Sequence, residues 1–290
     1  MYKVDNAIIM AAGTSSRFAP LSFEKHKALI EVRGEVLIER QIRQLLEAGI
    51  KDIYVVTGYK AADFAYLEEK FSVQLIHNPN FLNRNNHSSV YVVRDILKNS
   101  YLCSADNYFN INPFKQEVDT AYYAAVYSDG YTDEWCMVAD AKGDICNVTI
   151  GGTDSWYMLG HTFWSEEFSQ RFIEILESEY SLSETKDKFW EKIFIAYLDV
   201  LKMKMKKYDK NDIFEFDTLD ELRQFDTSYI NDTRSKIIRD ILVNIGCKEA
   251  EIINIKTVKA STAESIGFEF DCRNKHYRYL YKTRSLVSVV

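Results

Sequence analysis

The sequence has few of the residues that make loops. Its 290 residues include eleven glycines and three prolines, about 5% of the chain against a usual ~12%. Long flexible linkers are therefore not expected, and each glycine marks a position with a local demand. Cysteine is sparse and unpaired in pattern: Cys103, Cys136, Cys146, Cys247 and Cys272 are odd in number and lack CxxC spacing, which argues against a disulfide framework. The histidines His26, His77, His87, His161 and His276 show no metal-ligand spacing, so a structural zinc site is not expected. No apolar run approaches the ~18 residues that would span a membrane. The opening MYKVDNAIIM reads as a strand and not as a targeting segment. These features predict reduced thiols in a cytoplasmic protein. Basic residues are outnumbered, 36 against 43, for a net charge of −7, a balance that disfavours nucleic acid and anionic membrane as partners.

What remains is a chain for one or two domains. Hydrophobic residues make up 47%, and a chain of this length buries roughly three quarters of its unfolded surface without a staple. Aromatics reach 14%, an excess that fits either a core or a binding site.

The first hundred residues alternate strand and helix signals. Strands are predicted at Ala7–Met10, Ile53–Val56, Val73–His77 and Tyr101–Ser104. Helices are predicted at Glu35–Ala48, Ala61–Lys70 and about Ser88–Leu97. Strands joined by helix-length crossovers imply an α/β fold, a parallel sheet with helices on both faces. From residue 120 the pattern turns antiparallel, with strands at Ala121–Tyr127, Glu134–Ala139, Asp144–Thr149 and Trp156–Phe163 and turns at Ser128–Gly130 and Lys142–Asp144. Helices come next at Glu166–Glu179 and Lys186–Leu201. The alternating run Lys202–Lys206 reads as an edge strand, its lysines discouraging stray pairing, with a nucleic-acid contact as the other reading. Ile213–Asp217 is a strand and Leu219–Phe225 a helix. The pattern breaks at Asp226–Ser228, which places a domain boundary near residue 227, between 1–226 and 227–290. Beyond it lie a helix at Arg234–Ile245 and strands at Ile252–Val258, Ile266–Cys272 and Tyr277–Tyr281.

Three segments carry chemistry. Ala11, Ala12, Gly13, Thr14, Ser15, Ser16 and Arg17 come directly after the first strand. Small residues and hydroxyls there let the backbone approach a polyphosphate, and Arg17 adds a forked donor. Lys27 is a second cation ten residues on. The loop is neither GxGxxG nor GxxxxGK[ST]. Asp106 ends the fourth strand, where open α/β sheets bind ligands; it suits a Mg²⁺ ligand or a helix cap. Glu215 and Asp217 come after the last strand of the first domain; one or both are candidates to complete the metal site, with a helix cap as the alternative for Asp217. Asn83–Ser89 is rich in amides and hydroxyls, able to read a base edge or to cap a helix.

AIIMAAGTSSR (7–17), KHKALIEV (25–32), RNNHSSVYVV (84–93), YLCSADNYF (101–109), TDEWCMV (132–138) and IFEFDTLDEL (213–222) together resemble the nucleoside-triphosphate transferases, and more closely the bacterial CTP:phosphocholine cytidylyltransferases, over about residues 5–226. The resemblance implies a Rossmann-like nucleotidyltransferase fold with a mixed, mostly parallel sheet. It implies Mg²⁺-dependent transfer from CTP to phosphocholine. Gly13 to Arg17 would bind the triphosphate, Lys27 the reacting phosphates, Asn86 and Ser88 the cytosine, and Asp106 and Asp217 the metal. The chain departs from the family pattern at Thr14 and Ser15, where glycine is usual, at His26, where proline is usual, and at Ser104, an aspartate in some relatives. A quaternary ammonium is recognised by aromatic faces, and Trp135, Phe189 and Trp190 are the candidates, with core packing as the alternative for each. Phosphoethanolamine, an aminophosphonate or a sugar 1-phosphate are alternative acceptors, and a degenerate nucleotide-binding regulator is an alternative of another class. Ile252–Tyr281, with FEFDCRNKHYRYLYK (268–282), resembles the opening strands of choline kinases and aminoglycoside phosphotransferases. The matching glycine-rich turn is degraded to Lys259–Ala263 and no kinase catalytic loop comes after it, so residues 227–290 are expected to form a small α+β appendage without kinase activity.

Overall fold

The structure, a computed structural model, describes residues 1–260 and 265–289. Backbone contacts divide the chain into two compact units. The first comprises Met1–Gly13 and Leu37–Glu215, the second Thr14–Val36 and Phe216–Val290.

The first unit is built on seven strands: β1 (Asn6–Ala11), β2 (Ile53–Thr57), β3 (Gln74–His77), β4 (Ser100–Ser104), β5 (Tyr122–Ala139), β6 (Ile145–Trp164) and β7 (Lys204–Tyr208). Their order is β7-β5-β6-β4-β1-β2-β3. The β4-β1-β2-β3 run is parallel, as is β7 on β5. The β5–β6 and β6–β4 pairs are antiparallel. The sheet is thus mixed and mostly parallel. Residues 7–9 are buried in succession, as in a strand covered on both faces. Helix α1 (Leu37–Glu47) buries Leu37, Ile38, Ile42 and Leu45 at helical spacing, and Gly49 closes it at φ +84°. Helices α2 (His87–Val92), α3 (Glu166–Glu179) and α4 (Trp190–Ala196) share one apolar core with the sheet. Ile8, Val56, Leu102, Trp164, Phe172 and Ile193 lie in it. Each such apolar side chain stabilises the fold by roughly 1.5–3 kcal/mol.

Two readings of the sequence change here. The four antiparallel strands form two long ones. Ser128–Gly130 lies inside β5, and residues 150–155 lie inside β6. Register shifts there, with Gly130, Gly151, Asp154 and Gly160 at positive φ, make bulges instead of turns. The helix expected at Lys186–Leu201 shrinks to α4; at its start the carbonyls of residues 186–188 bond Asn85 and His87 instead of continuing a helix. The lysine run does form an edge strand. β7 ends the sheet, with the Lys206 ammonium 4.2 Å from the centre of the Tyr122 ring.

In the second unit, α5 (Leu219–Phe225) opens with a Thr218–Glu221 capping box. Helix α6 (Lys236–Ile245) is capped by Ser235 and ends at Gly246. Strands β8 (Ile253–Lys259), β9 (Ser265–Cys272), β10 (Lys275–Leu280) and β11 (Ser285–Val289) form an antiparallel meander around Phe268, Phe270 and Tyr279. The degraded turn at Lys259–Ala263 falls partly outside the described residues. A boundary at 227 is not where the backbone divides. Residues 14–36 and 216–226 cluster with the C-terminal segment, tied by bonds such as Arg33 N–H to Asp226 (2.8 Å) and the Tyr229 hydroxyl to the Glu31 carbonyl. Among the described residues no helix is long and apolar enough to cross a membrane.

Candidate active site

The loop after β1 begins in the first unit. The buried Ala12 accepts a hydrogen bond at its carbonyl from Tyr59 N–H (3.0 Å). A Cβ placed on Gly13 would meet nothing within 4 Å, so no neighbouring protein atom demands glycine there. The bare backbone leaves room for a ligand to approach.

The rest of the loop belongs to the second unit. Ser15 is left-handed (φ 47°) and Ser16–Phe18 form a single 3₁₀ turn. Lys27 sits in another such turn, residues 27–29, and His26 caps it: its Nδ1 accepts from Ala28 N–H at 3.1 Å. That explains a histidine in the family's proline position, since its ring supplies the acceptor that opens the turn. Lys27 is only 2% exposed, and its Nζ lies 3.5 Å from Asp217 Oδ1. Arg17, with its side chain 71% exposed, reaches Asp217 Oδ2 at 2.8 Å. One carboxylate therefore gathers the two cations expected to meet phosphate. Asp217 does not cap α5. Thr218 does that, while the Asp217 N–H donates to Glu221 Oε2.

In the first unit, Asp106 occupies a two-residue turn between β4 and the short strand Asn107–Phe109. A strand comes after it, so the helix-cap alternative is removed. Gln41 of α1 holds this turn from both sides, its Nε2 donating to the carbonyls of Ser104 (2.8 Å) and Asn107 (2.9 Å). Asn107 Nδ2 donates to Glu215 (3.2 Å). Glu215 lies on the strand paired with Asn107–Phe109.

The amide-rich segment before α2 is stitched to residues 186–191. Asn85 bonds the carbonyls of Lys186 and Asp187, and His87 bonds that of Lys188. Asn86 Oδ1 accepts from Trp190 N–H (2.7 Å), and its Nδ2 donates to Glu191 (3.1 Å). Ser88 is 0% exposed; its hydroxyl donates to Asn85 O and accepts from Asn78 Nδ2. Ser88, expected near the cytosine, is thus buried and hydrogen-bonded to protein both as donor and as acceptor. Both ends of the Asn86 amide bond protein groups.

The aromatic candidates divide. Trp135 is half-buried and Phe189 is 42% exposed. Their rings meet edge-to-face at 5.8 Å. Trp190 is 2% exposed and packs on Trp164, Phe172 and Tyr123. It lies in the core, the alternative given for that ring. Three carboxylates lie in the same unit. Glu134 and Glu215 act electrostatically on Tyr157, and Glu191 and Glu215 on Tyr123. Burial pushes the Glu191 carboxyl up to about 7, against the lowering effect of its Asn86 and Tyr123 hydrogen bonds. Among the described residues no group of three or more His, Cys, Asp or Glu is gathered to hold an ion by itself.

Residues 7–104 match the MobA-like NTP transferase domain. The chain is 31% identical to the choline-phosphate cytidylyltransferase of Streptococcus pneumoniae, over 76% of this chain and 96% of that protein. It is 33% identical to the 2-aminoethylphosphonate cytidylyltransferase of Lancefieldella rimae, over 79% and 95%. A solved structure of the S. pneumoniae CTP:phosphocholine cytidylyltransferase superposes with a TM-score of 0.74, covering 77% of this chain and 97% of that one. The chain belongs to the nucleotidyltransferase family that contains these cytidylyltransferases.

Proposed function

We propose that the chain transfers a cytidylyl group from CTP to phosphocholine, giving CDP-choline and pyrophosphate. The observation that carries this reading is the convergence of Arg17 and the buried Lys27 on Asp217. Two cations held by one carboxylate leave a net positive charge positioned for a triphosphate. A phosphate oxygen of the acceptor forms a bond to the α-phosphorus of CTP as the bond to pyrophosphate breaks. The acceptor is ionised at pH 7, so no protein nucleophile is needed. Cys103, buried beneath the sheet surface, has its thiol pushed well above its ordinary value and is inert.

The half-buried Trp135 and exposed Phe189 supply aromatic surface for a quaternary ammonium. The carboxylates of the same unit add negative potential. The acceptor named for the S. pneumoniae relative supports this choice.

Mg²⁺ belongs to the same reading. Asp106 and Asp217 offer hard oxygen donors, and Mg²⁺ in nucleotide sites takes one or two protein carboxylates with the remainder from phosphates and water. Asp106 is the candidate of the first unit and Asp217 that of the second. When bound, the ion would offset charge on the phosphates. The reading also places the protein in the cytoplasm, where its five free thiols stay reduced.

Pyrophosphate release tests the proposal, with each of four nucleoside triphosphates crossed with phosphocholine, phosphoethanolamine, 2-aminoethylphosphonate and glucose 1-phosphate. CTP with phosphocholine is expected to be fastest, and Lys27→Ala to lower kcat about 100-fold or more. Faster turnover of another acceptor would replace phosphocholine. No release with any pair would overturn transfer altogether.

A further inference from the structure

The segment that carries Arg17 and Lys27 cannot hold its own shape. Between Thr14 and Val36 it contains two three-residue 3₁₀ turns, a four-residue helix (Leu21–Glu24) and a two-stranded hairpin of two residues a side. Helical pieces this short do not persist in water, so the order of this segment comes from what it touches within its unit.

Those contacts come from the C-terminal part of the chain. The Thr257 hydroxyl, on β8, donates to the carbonyl of Ser16, the residue before Arg17. Phe23 stacks on Tyr281, with ring centres 3.8 Å apart and planes 7° from parallel. Glu24 accepts from the N–H groups of Lys236 (2.8 Å) and Ile237 (3.2 Å) in the first turn of α6. Tyr229 bonds the Glu31 carbonyl. The partner carboxylate is held by the same part of the chain. Helix α5, which begins just beyond Asp217, carries Arg223, whose guanidinium donates to the carbonyls of Tyr229 (3.2 Å), Ile252 (2.6 Å) and Glu249 (3.3 Å).

We propose that residues 227–260 and 265–281 are a brace for the phosphate-binding cations, with Thr257 and Tyr281 as positioning residues that act through Ser16 and Phe23. Arg17, Lys27 and Asp217 all sit on pieces gripped by this segment. The brace sets where the two cations stand before the nucleotide arrives, and so governs the use of CTP and not of the acceptor. This rests on the reading of Arg17 and Lys27 as triphosphate ligands.

The test uses the full chain with Thr257→Val, Thr257→Ser, Tyr281→Leu and Glu24→Ala, and has two readouts. The first is amide hydrogen exchange of residues 14–30 without nucleotide, which needs no activity. The second is the steady-state split between substrates. Thr257→Val is expected to speed exchange around residues 15–18. Tyr281→Leu and Glu24→Ala are expected to speed it around residues 21–25. Each should lower kcat/KM for CTP about 10- to 100-fold with KM for the acceptor unchanged, and Thr257→Ser should restore both readouts. Should Tyr281→Leu fail to fold, the Thr257 pair and Glu24→Ala still decide. Unchanged exchange in folded variants would overturn the brace. So would equal losses for both substrates. A wild-type chain with no CTP turnover would instead overturn the proposed function, and exchange would still judge the brace.

Discussion

Phe189 and Trp190 are neighbours with opposite surroundings. Phe189 is the extended residue before α4 and Trp190 the first helical one, so a single step along the chain turns one ring outward and the other into the core. Substitutions at Trp135, which meets Phe189, and at Trp190 therefore separate binding from packing. Trp135→Ala is expected to raise KM for phosphocholine about 2- to 30-fold, the worth of a cation–π contact, with KM for CTP unchanged. Trp190→Ala is expected to lower unfolding free energy by about 3–5 kcal/mol, read from a urea titration. Equal weakening of both substrates by Trp135→Ala would assign that ring to packing. The positions of the candidates were partly legible at this scale: the loop after β1 and Asp106 stand at strand ends as expected and Asp217 two residues beyond one, whereas Lys27 lies in a 3₁₀ turn that no strand end predicts. What could not be read is orientation. Ser88 and Trp190 match the family's motifs by position, yet hydrogen bonding and core packing turn them inward.

Glu191 gives a second residue-scale prediction. Its carboxyl titrates near 7 in the folded chain and near 4.5 unfolded. Between those values the folded state holds the extra proton. This group's contribution is therefore full below pH 4.5 and is lost as pH rises to 7. The buried His87 and His161, held below their ordinary value by burial, act oppositely and lose their contribution as pH falls through about 6.5. Glu191→Gln isolates the first effect. The stability of wild type minus variant is expected to fall between pH 5 and 7.5, on the order of 2 kcal/mol. A difference independent of pH would show that Glu191 is ionised throughout.

At the scale of elements, glycine scarcity was informative in one direction only. A glycine in a strand pattern marks a turn, a bulge or a close approach, and sequence alone does not separate them. Gly130, Gly151 and Gly160 proved to be bulge positions in one long hairpin, while Gly49 and Gly246 closed helices. Gly58 reads as the stop of β2, but its role is steric. A Cβ there would lie 2.7 Å from both the Ala12 carbonyl oxygen and the Phe81 ring. The same Ala12 carbonyl accepts from Tyr59 N–H, so the end of β2 fixes the start of the phosphate loop. Gly58→Ala is expected to displace Ala12, to cost about 1–3 kcal/mol of stability and to raise KM for CTP several-fold. Normal kinetics from a destabilised variant would show that the loop absorbs the shift.

At the scale of the whole molecule, the break in pattern at Asp226 was legible but its meaning was not. Periodicity reports where one run of elements stops. It does not report that residues 14–36, far earlier in the chain, cluster with residues 216–290. The kinase-like pattern read in Ile252–Tyr281 has the same limit, since a sequence pattern can be kept after chemistry is lost. In the described sheet the charged side chains answer one another: Arg278 bonds Glu269, His276 bonds Asp271, and Arg273 bonds Glu251. An ATP site needs cations turned towards phosphate and carboxylates towards metal, whereas these three basic side chains are matched to carboxylates of their own unit. The full chain is therefore expected to form no phosphocholine from choline and ATP, with ADP release at the level of a choline-free control, in preparations that turn over CTP. Choline-dependent ADP release that survives Lys27→Ala would place a second active site in the C-terminal segment and return it to the kinases it resembles.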